Sequence, residues 1–148
     1  MAIADVIKNS KGKWAGSSKL QLVWGPDNIQ LFDCESTLEI TFGDHQKYAT
    51  LRYEWSQEGE PQFGEMLICG NTVAWSDSWH QSGEVMLLKG EGTTHINVTG
   101  EYQWQDNPPW GWRIELTNPE PDQLRLLMTN ISPEGEEDWA VQAEYQRA

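Results

Sequence analysis

The chain has 148 residues and a formal charge of −13, from 23 Asp and Glu against ten Lys and Arg. That length suits one domain with a single full core, and that charge repels phosphate backbones and anionic lipid heads, which argues against nucleic acid and membrane surfaces as partners. Nine Trp, four Tyr and three Phe make the apolar part strongly aromatic, and each buried ring removes about 150–250 Å² from water.

In chain order, Ile3, Val6 and Ile7 fall at helical spacing, so a short helix is expected within Ala2 to Asn9, ended by Gly12. A first strand is read over Lys13 to Val23, with Trp14, Gly16, Ser18, Leu20 and Leu22 on one side, then a turn at Trp24-Gly25-Pro26-Asp27-Asn28. Further strands are read at Glu35 to Phe42, Tyr48 to Gln57, Gln62 to Cys69 and Thr72 to Trp79. The third, with Ala49, Leu51, Tyr53 and Trp55 against Thr50, Arg52, Glu54 and Ser56, has the clearest period of two. Five more follow, at Glu84 to Leu88, Thr93 to Trp104, Trp110 to Thr117, Gln123 to Ile131 and Asp138 to Arg147. Ten short strands joined by Gly-, Pro- and Asn-bearing turns, with no helix between them, predict an all-β, antiparallel up-and-down β-barrel. A two-sheet sandwich is the structural alternative. The domain reading is 1–148 as one barrel, with residues 1–12 as an N-terminal segment and 13–147 as the barrel.

The middle stretch Trp75-Ser76-Asp77-Ser78-Trp79-His80 carries the most chemistry. As a strand it points Val73, Trp75, Asp77 and Trp79 to one side. If that side is interior, the Asp77 carboxylate needs hydrogen-bond partners, because an unpaired buried carboxylate is costly or stays protonated. Glu65 is likewise read on an apolar face, beside Asp77. Tyr53, Trp55, Trp75, Trp79, Trp104 and Trp112 are expected to point inward together, as plug or as pocket, with the other barrel end closed by Trp14 and Trp139. With Glu65, Asp77 and His80 they form the expected ligand-binding set.

Among the histidines, His45 falls in a turn. A hairpin centred on Gly90-Glu91-Gly92 puts His95 opposite Leu87 and His80 opposite Tyr102, roughly 23 Å apart at ~3.3 Å per residue. No Cys or His spacing resembles zinc, so no metal site is expected. No serine has the Gly-x-Ser-x-Gly form, and Asp77 and His80 leave opposite faces of an ideal strand unless it ends between them. Cys34 and Cys69 are expected as free thiols in a reducing cytoplasm. No apolar run approaches the ~20 residues of a membrane span, and Met1 to Gly12 lacks the apolar core and cleavage site of a signal peptide; the expectation is a soluble cytoplasmic protein.

Gly12-Lys13-Trp14, opening the first strand of a ten-strand meander, resembles the Gly-x-Trp start of the calycin superfamily, which includes lipocalins and fatty-acid-binding proteins. The match is similar to small bacterial lipocalin-like domains of uncharacterised function, whose central and last strands Trp75 to His80 and Glu136 to Arg147 resemble. In lipocalins an Arg late in the chain packs across the Trp; Arg113, Arg125 and Arg147 are the candidates here. The stretch Gly12-x-Trp14-x-Gly16-x-Ser18 also resembles the opening of nitrobindins, haem-binding ten-stranded barrels, with Ser18 where those carry a third Gly.

The aromatic alternation on at least four strands leads to the expectation of a barrel that binds a small hydrophobic or aromatic molecule without catalysis or resident cofactor. An isomerase or hydrolase using Asp77, Glu65 or His80 is the alternative, and a haem-binding barrel a further one. A barrel whose exposed Trp residues dock a partner or a second copy is the third class.

Overall fold

The computed structural model describes residues 3–23, 29–57, 59–103 and 105–148, without the side chains of residues 22, 23, 29–31 and 57. Ten antiparallel strands close into a barrel in which every strand pairs with its neighbours in sequence and the first pairs with the last. They are β1 (Gly12–Val23), β2 (Ile29–Phe42), β3 (Ala49–Gln57), β4 (Glu60–Cys69), β5 (Thr72–Asp77), β6 (Met86–Gly90), β7 (Ile96–Tyr102), β8 (Trp110–Thr117), β9 (Gln123–Ile131) and β10 (Glu137–Arg147). A five-residue helix, α1 (Asp5–Asn9), precedes them. No helix among the described residues is long and apolar enough to cross a membrane.

Alternation decides which side chains fill the interior. Leu51, Tyr53 and Trp55 of β3, Val73, Trp75 and Asp77 of β5, Trp112, Ile114 and Leu116 of β8 and Val141, Ala143 and Tyr145 of β10 are all buried. A closed sheet leaves no unpaired edge, which is why so many short strands stay together in water.

One end of the barrel is sealed from below. Ile3, Val6 and Ile7 of the helical segment are buried, and the Asp5 and Val6 N–H groups donate to the Thr93 and Thr94 carbonyls of the β6–β7 loop at 2.8 and 2.9 Å. Those two bonds take up donors that the first helical turn leaves without partners. Trp14 is fully buried at this end, and its indole N–H donates to the Ser10 carbonyl at 2.8 Å. Of the three candidate arginines, Arg147 lies across the ring, 4.5 Å from its centroid. The same guanidinium donates to the Asn9 carbonyl at 2.5 Å, so one side chain ties together the helix end, the last strand and the plug. Trp139 is not part of this seal: Trp14 pairs with Arg147 while Trp139 pairs with Thr129 at the start of β10, the opposite barrel end. Both lie on alternating faces, but strand length separates them.

Several boundaries differ from the sequence reading. β2 begins at Ile29 rather than Glu35, because β1 pairs with it without interruption from Gly12↔Ile40 to Val23↔Ile29. Gln30, Asp33, Cys34 and Ser36 hide that extension by breaking the apolar alternation. The expected turn at 24–28 lies outside the described residues. The β6–β7 hairpin pairs Lys89 with Thr99, not Leu87 with His95. Gly90 stays inside β6 because a Cβ there would stand 1.9 Å from the Asn97 carbonyl oxygen; a glycine that reads as a turn serves a close strand crossing instead.

Gly16 plays the same part at the closing seam. It pairs with Tyr145, and a Cβ on it would stand 1.8 Å from the Glu144 carbonyl oxygen. Gly16→Ala therefore forces β1 and β10 apart, and a loss of about 3 kcal/mol is expected in chemical unfolding, at the upper end of overpacking costs. Ala15→Gly, one residue away on the exposed outer face, serves as the control, and an equal loss there would contradict the seam as the cause.

Candidate functional site

The candidate site is built on the place where β5 stops. Val73, Trp75 and Asp77 face inward, and after Asp77 the chain folds back over its own side chain. Oδ1 of Asp77 accepts from the backbone N–H groups of Trp79 at 3.0 Å, His80 at 2.5 Å and Gln81 at 2.9 Å. This is an Asx-type turn, in which a side-chain acid organises the backbone two to four residues ahead. Oδ2 accepts from the Tyr53 hydroxyl at 2.8 Å and meets Nδ1 of His80 at 2.9 Å. Asp77 and His80 thus meet because the strand ends between them.

Tyr53 reaches Asp77 across Gly64, the residue of β4 paired with Asp77. A Cβ on Gly64 would sit 2.0 Å from the Tyr53 ring. The Tyr53 oxygen also accepts the Trp75 indole N–H at 2.8 Å. Burial pushes the Asp77 carboxyl up, but the His80 hydrogen bond and charge, the Gln81 N–H and the Tyr53 hydroxyl outweigh it and hold the group below the usual carboxylate range. Burial and then the Asp77 charge drive the Tyr53 hydroxyl well above its ordinary value. The pair is an ionised carboxylate and a neutral phenol that donates to it.

Aromatic rings wall this polar centre. The His80 ring lies 5.3 Å from Trp112, 6.2 Å from Trp55 and 6.3 Å from Trp75, centroid to centroid. Trp55 stacks on Tyr53 at 5.6 Å and Trp75 on Trp112 at 5.4 Å. Three buried nitrogens in this wall have no hydrogen-bond partner among the described residues: Nε1 of Trp55, Nε1 of Trp112 and Nε2 of His80. Each such orphan costs about 1–3 kcal/mol. A void beside Trp55 and His80 is lined by them and by Ser18, Leu20, Tyr53, Leu126, Val141 and Tyr145, and not by Trp112. Its volume is about 10 Å³, close to the least that holds one water molecule. Its surface is almost wholly apolar; the Tyr145 hydroxyl is taken up by a 2.8 Å bond to Ser36, whose own hydroxyl donates to the Glu54 carbonyl.

Of the residues picked from sequence, Tyr53, Trp55, Trp75, Asp77 and Trp112 are buried inside the barrel, with His80 half-buried among them. Trp79 lies past the strand end, half-buried against the core. Trp104 lies outside the described residues. Glu65 is misplaced by the sequence reading: it points outward between Phe63 and Leu67, and its side chain is 60% exposed near Arg52. The two large apolar neighbours, half-exposed on the outer wall, made that face look interior, while the true inner face carries Gly64, whose missing side chain is Tyr53's space. Ser18, Leu126, Val141 and Tyr145 were not singled out as site residues, although Tyr145 shares an alternating face with Val141 and Ala143.

Other chemistries find little here. Ser76 Oγ donates to the Gln81 carbonyl and Ser78 Oγ to the Gln62 side chain, so neither hydroxyl is bonded to His80. His45 and His95 are exposed, and no cluster of three His, Cys, Asp or Glu able to hold a metal occurs among the described residues. Cys34 and Cys69 are free thiols. The seven described tryptophans are all buried or half-buried.

Tyr53→Phe removes one donor from Asp77 and the acceptor of Trp75 together, so a loss of about 2–4 kcal/mol is expected in urea unfolding. Because the folded Asp77 carboxyl lies below its unfolded value, its stabilisation is complete above about pH 4 and disappears as pH falls through the folded pKa. Carboxyl NMR should place the Asp77 midpoint below about 3.9, and Asp77→Asn should flatten that part of the acid limb. A midpoint above 4 would contradict the network.

No family model matches the chain, and no curated protein matches it. Solved structures do. A redesigned beta barrel matches all of this chain and 99% of its own at 11% identity and a TM-score of 0.49. The S-type phycobiliprotein lyase CPES from Guillardia theta matches over 96% of this chain and 90% of its own, at 12% identity and a TM-score of 0.54. The second likeness is one of fold: a closed antiparallel barrel of the same overall course.

Proposed function

We propose that this chain is a calycin-type barrel that binds a small apolar or aromatic molecule inside the barrel, at its His80 end, without catalysis. The observation that carries the reading is the set of buried ring nitrogens, on Trp55, Trp112 and His80, left without partners among the described residues in one aromatic wall. Pockets of this kind combine an apolar wall with a few placed polar groups. Trp55, Trp75 and Trp112 supply the aromatic wall, Tyr53 and Asp77 hold His80 in place, and Trp79 packs half-buried against the core. Trp104 belongs to the proposal from the sequence alone. The calycin assignment is supported by Gly12-Lys13-Trp14 at the start of β1, by Arg147 across that Trp, and by the barrel fold shared with the lyase. Free thiols and an acidic surface support a cytoplasmic setting.

A proton-transfer reading rests on one observation, the 2.9 Å contact of Nδ1 of His80 with a carboxylate, with Nε2 buried and without a partner among the described residues. It fits an isomerase better than a hydrolase, since no serine is bonded to His80. Haem gains no support, because the space beside His80 is small for a macrocycle.

Leu126 lines the void and is buried. Leu126→Ala should cost about 2–5 kcal/mol in stability and raise affinity for single-ring aromatics, read by tryptophan fluorescence and calorimetry. If neither the native chain nor this variant binds any of a panel of single-ring and aliphatic probes, the binding role is lost. Release of the α-deuterium of a labelled ketone, abolished by His80→Gln, would favour the isomerase instead.

A further inference from the structure

We infer that the outer wall of β4, β5 and β6 is the interface of a weak two-fold dimer of this chain. Four of the five exposed large apolar side chains among the described residues stand on this wall. Phe63 and Leu67 of β4 are 47% and 46% exposed, and Val85, just before β6, and Leu87, within it, are 72% and 57% exposed. Pairing sets Leu67 level with Ala74 and Ala74 level with Leu87. The outward residues of β5, Thr72, Ala74 and Ser76, are all small, so a shallow groove runs between two raised apolar columns. Single exposed apolar residues are ordinary, but a gathered patch marks an interaction surface.

Charge says what covers it. The chain carries −13 overall, so two copies repel each other over most of their surface. The outward positions of these three strands hold one acid, Glu65, and one base, Lys89, which makes this face neutral. Glu65 comes two residues before Leu67 on β4, and Lys89 two after Leu87 on β6. Both strands run antiparallel to β5, hence parallel to each other, so the acid and the base lie diagonally on opposite sides of Ala74. A two-fold axis running in the interface past Ala74 sets Glu65 of each copy against Lys89 of the other. Such self-complementarity is what an isologous contact needs. Packed sheets stand about 10 Å apart, a gap that a Glu and a Lys side chain together span. Among the described residues Lys89 has no ion pair, and Glu65 has only an exposed one with Arg52, at 3.8 Å. The convex wall offers roughly 400–600 Å² per copy, the small end for stable pairs, so the dimer depends on concentration.

Sedimentation equilibrium tests this in about 0.15 M salt, which screens long-range repulsion beyond about 8 Å. The mean mass should rise from 16.9 kDa toward twice that value between about 1 µM and about 1 mM, with a dissociation constant of about 100 µM. Leu87→Asp should weaken the association by about tenfold, while Gln142→Asp, exposed on β10, should leave it within about threefold of native. Glu65→Lys and Lys89→Glu should each weaken it by about tenfold, because like charges then meet twice. Mixed one to one, these two variants present complementary faces and should pair within about threefold of the native strength. Thermal melts confirm that the variants are folded. A chain that stays at 16.9 kDa throughout would leave this face to a different partner and overturn the dimer. Wall variants that associate like the native chain, or an equal loss with Gln142→Asp, would remove the wall from the contact. A mixture that stays as weak as its components would overturn the two-fold arrangement.

Discussion

The carboxylate of Asp77 sits inside a barrel otherwise filled with rings and aliphatic chains, and much of the surrounding architecture answers to it. Moving such an ion out of water costs several kcal/mol even after relaxation. Five hydrogen bonds offset this, three from backbone N–H groups, one from Tyr53 and one from His80, each worth about 1.5–3 kcal/mol to a charged acceptor. Without Gly64 the phenol has no room to arrive. Without the strand end at Asp77, the three N–H groups and the imidazole would point elsewhere. The acid therefore fixes where β5 stops, which way the following loop runs, and where His80 lies.

The two ends of the barrel are closed by different physics. At the Trp14 end, an apolar helix face, a buried indole and a guanidinium stacked on it form a seal of dispersion, cation–π contact and backbone hydrogen bonds. Every polar group named at that seal has a partner. At the His80 end the wall is equally aromatic, yet three ring nitrogens lie unpaired among the described residues. Native interiors satisfy nearly all buried polar atoms. A satisfied seal at one end thus contrasts with an unsatisfied wall at the other.

A barrel of this class keeps its strands in place through neighbour pairing, so the interior is free to vary residue by residue. That freedom is why a fold shared at 12% identity carries the frame but not the chemistry. Here the chemistry is local. It consists of one acid, one imidazole and the rings around them, all drawn from β3, β5, β8 and the loop after β5.

The sequence by itself determined the ten strands, their meander and the inward set of Tyr53, Trp55, Trp75, Asp77 and Trp112, because a period of two survives wherever one face is buried and the other is wet. It also showed that Asp77, if interior, must find partners. It misread Glu65, because outward Phe63 and Leu67 mimic an inner face and because a glycine making space for a neighbour's ring looks like an empty position. It misread the β6–β7 register for the same reason, since Gly90 reads as a turn until Asn97 is brought against it. Only the tertiary structure decided that Tyr53 crosses Gly64 to Asp77, that Arg147 rather than Arg113 or Arg125 covers Trp14, and that Trp139 stands at the opposite end. Each of these depends on which strands close the barrel and at what level two side chains meet. Alternation along one strand fixes the face a residue takes, but its height on the wall comes from pairing with strands far away in the chain.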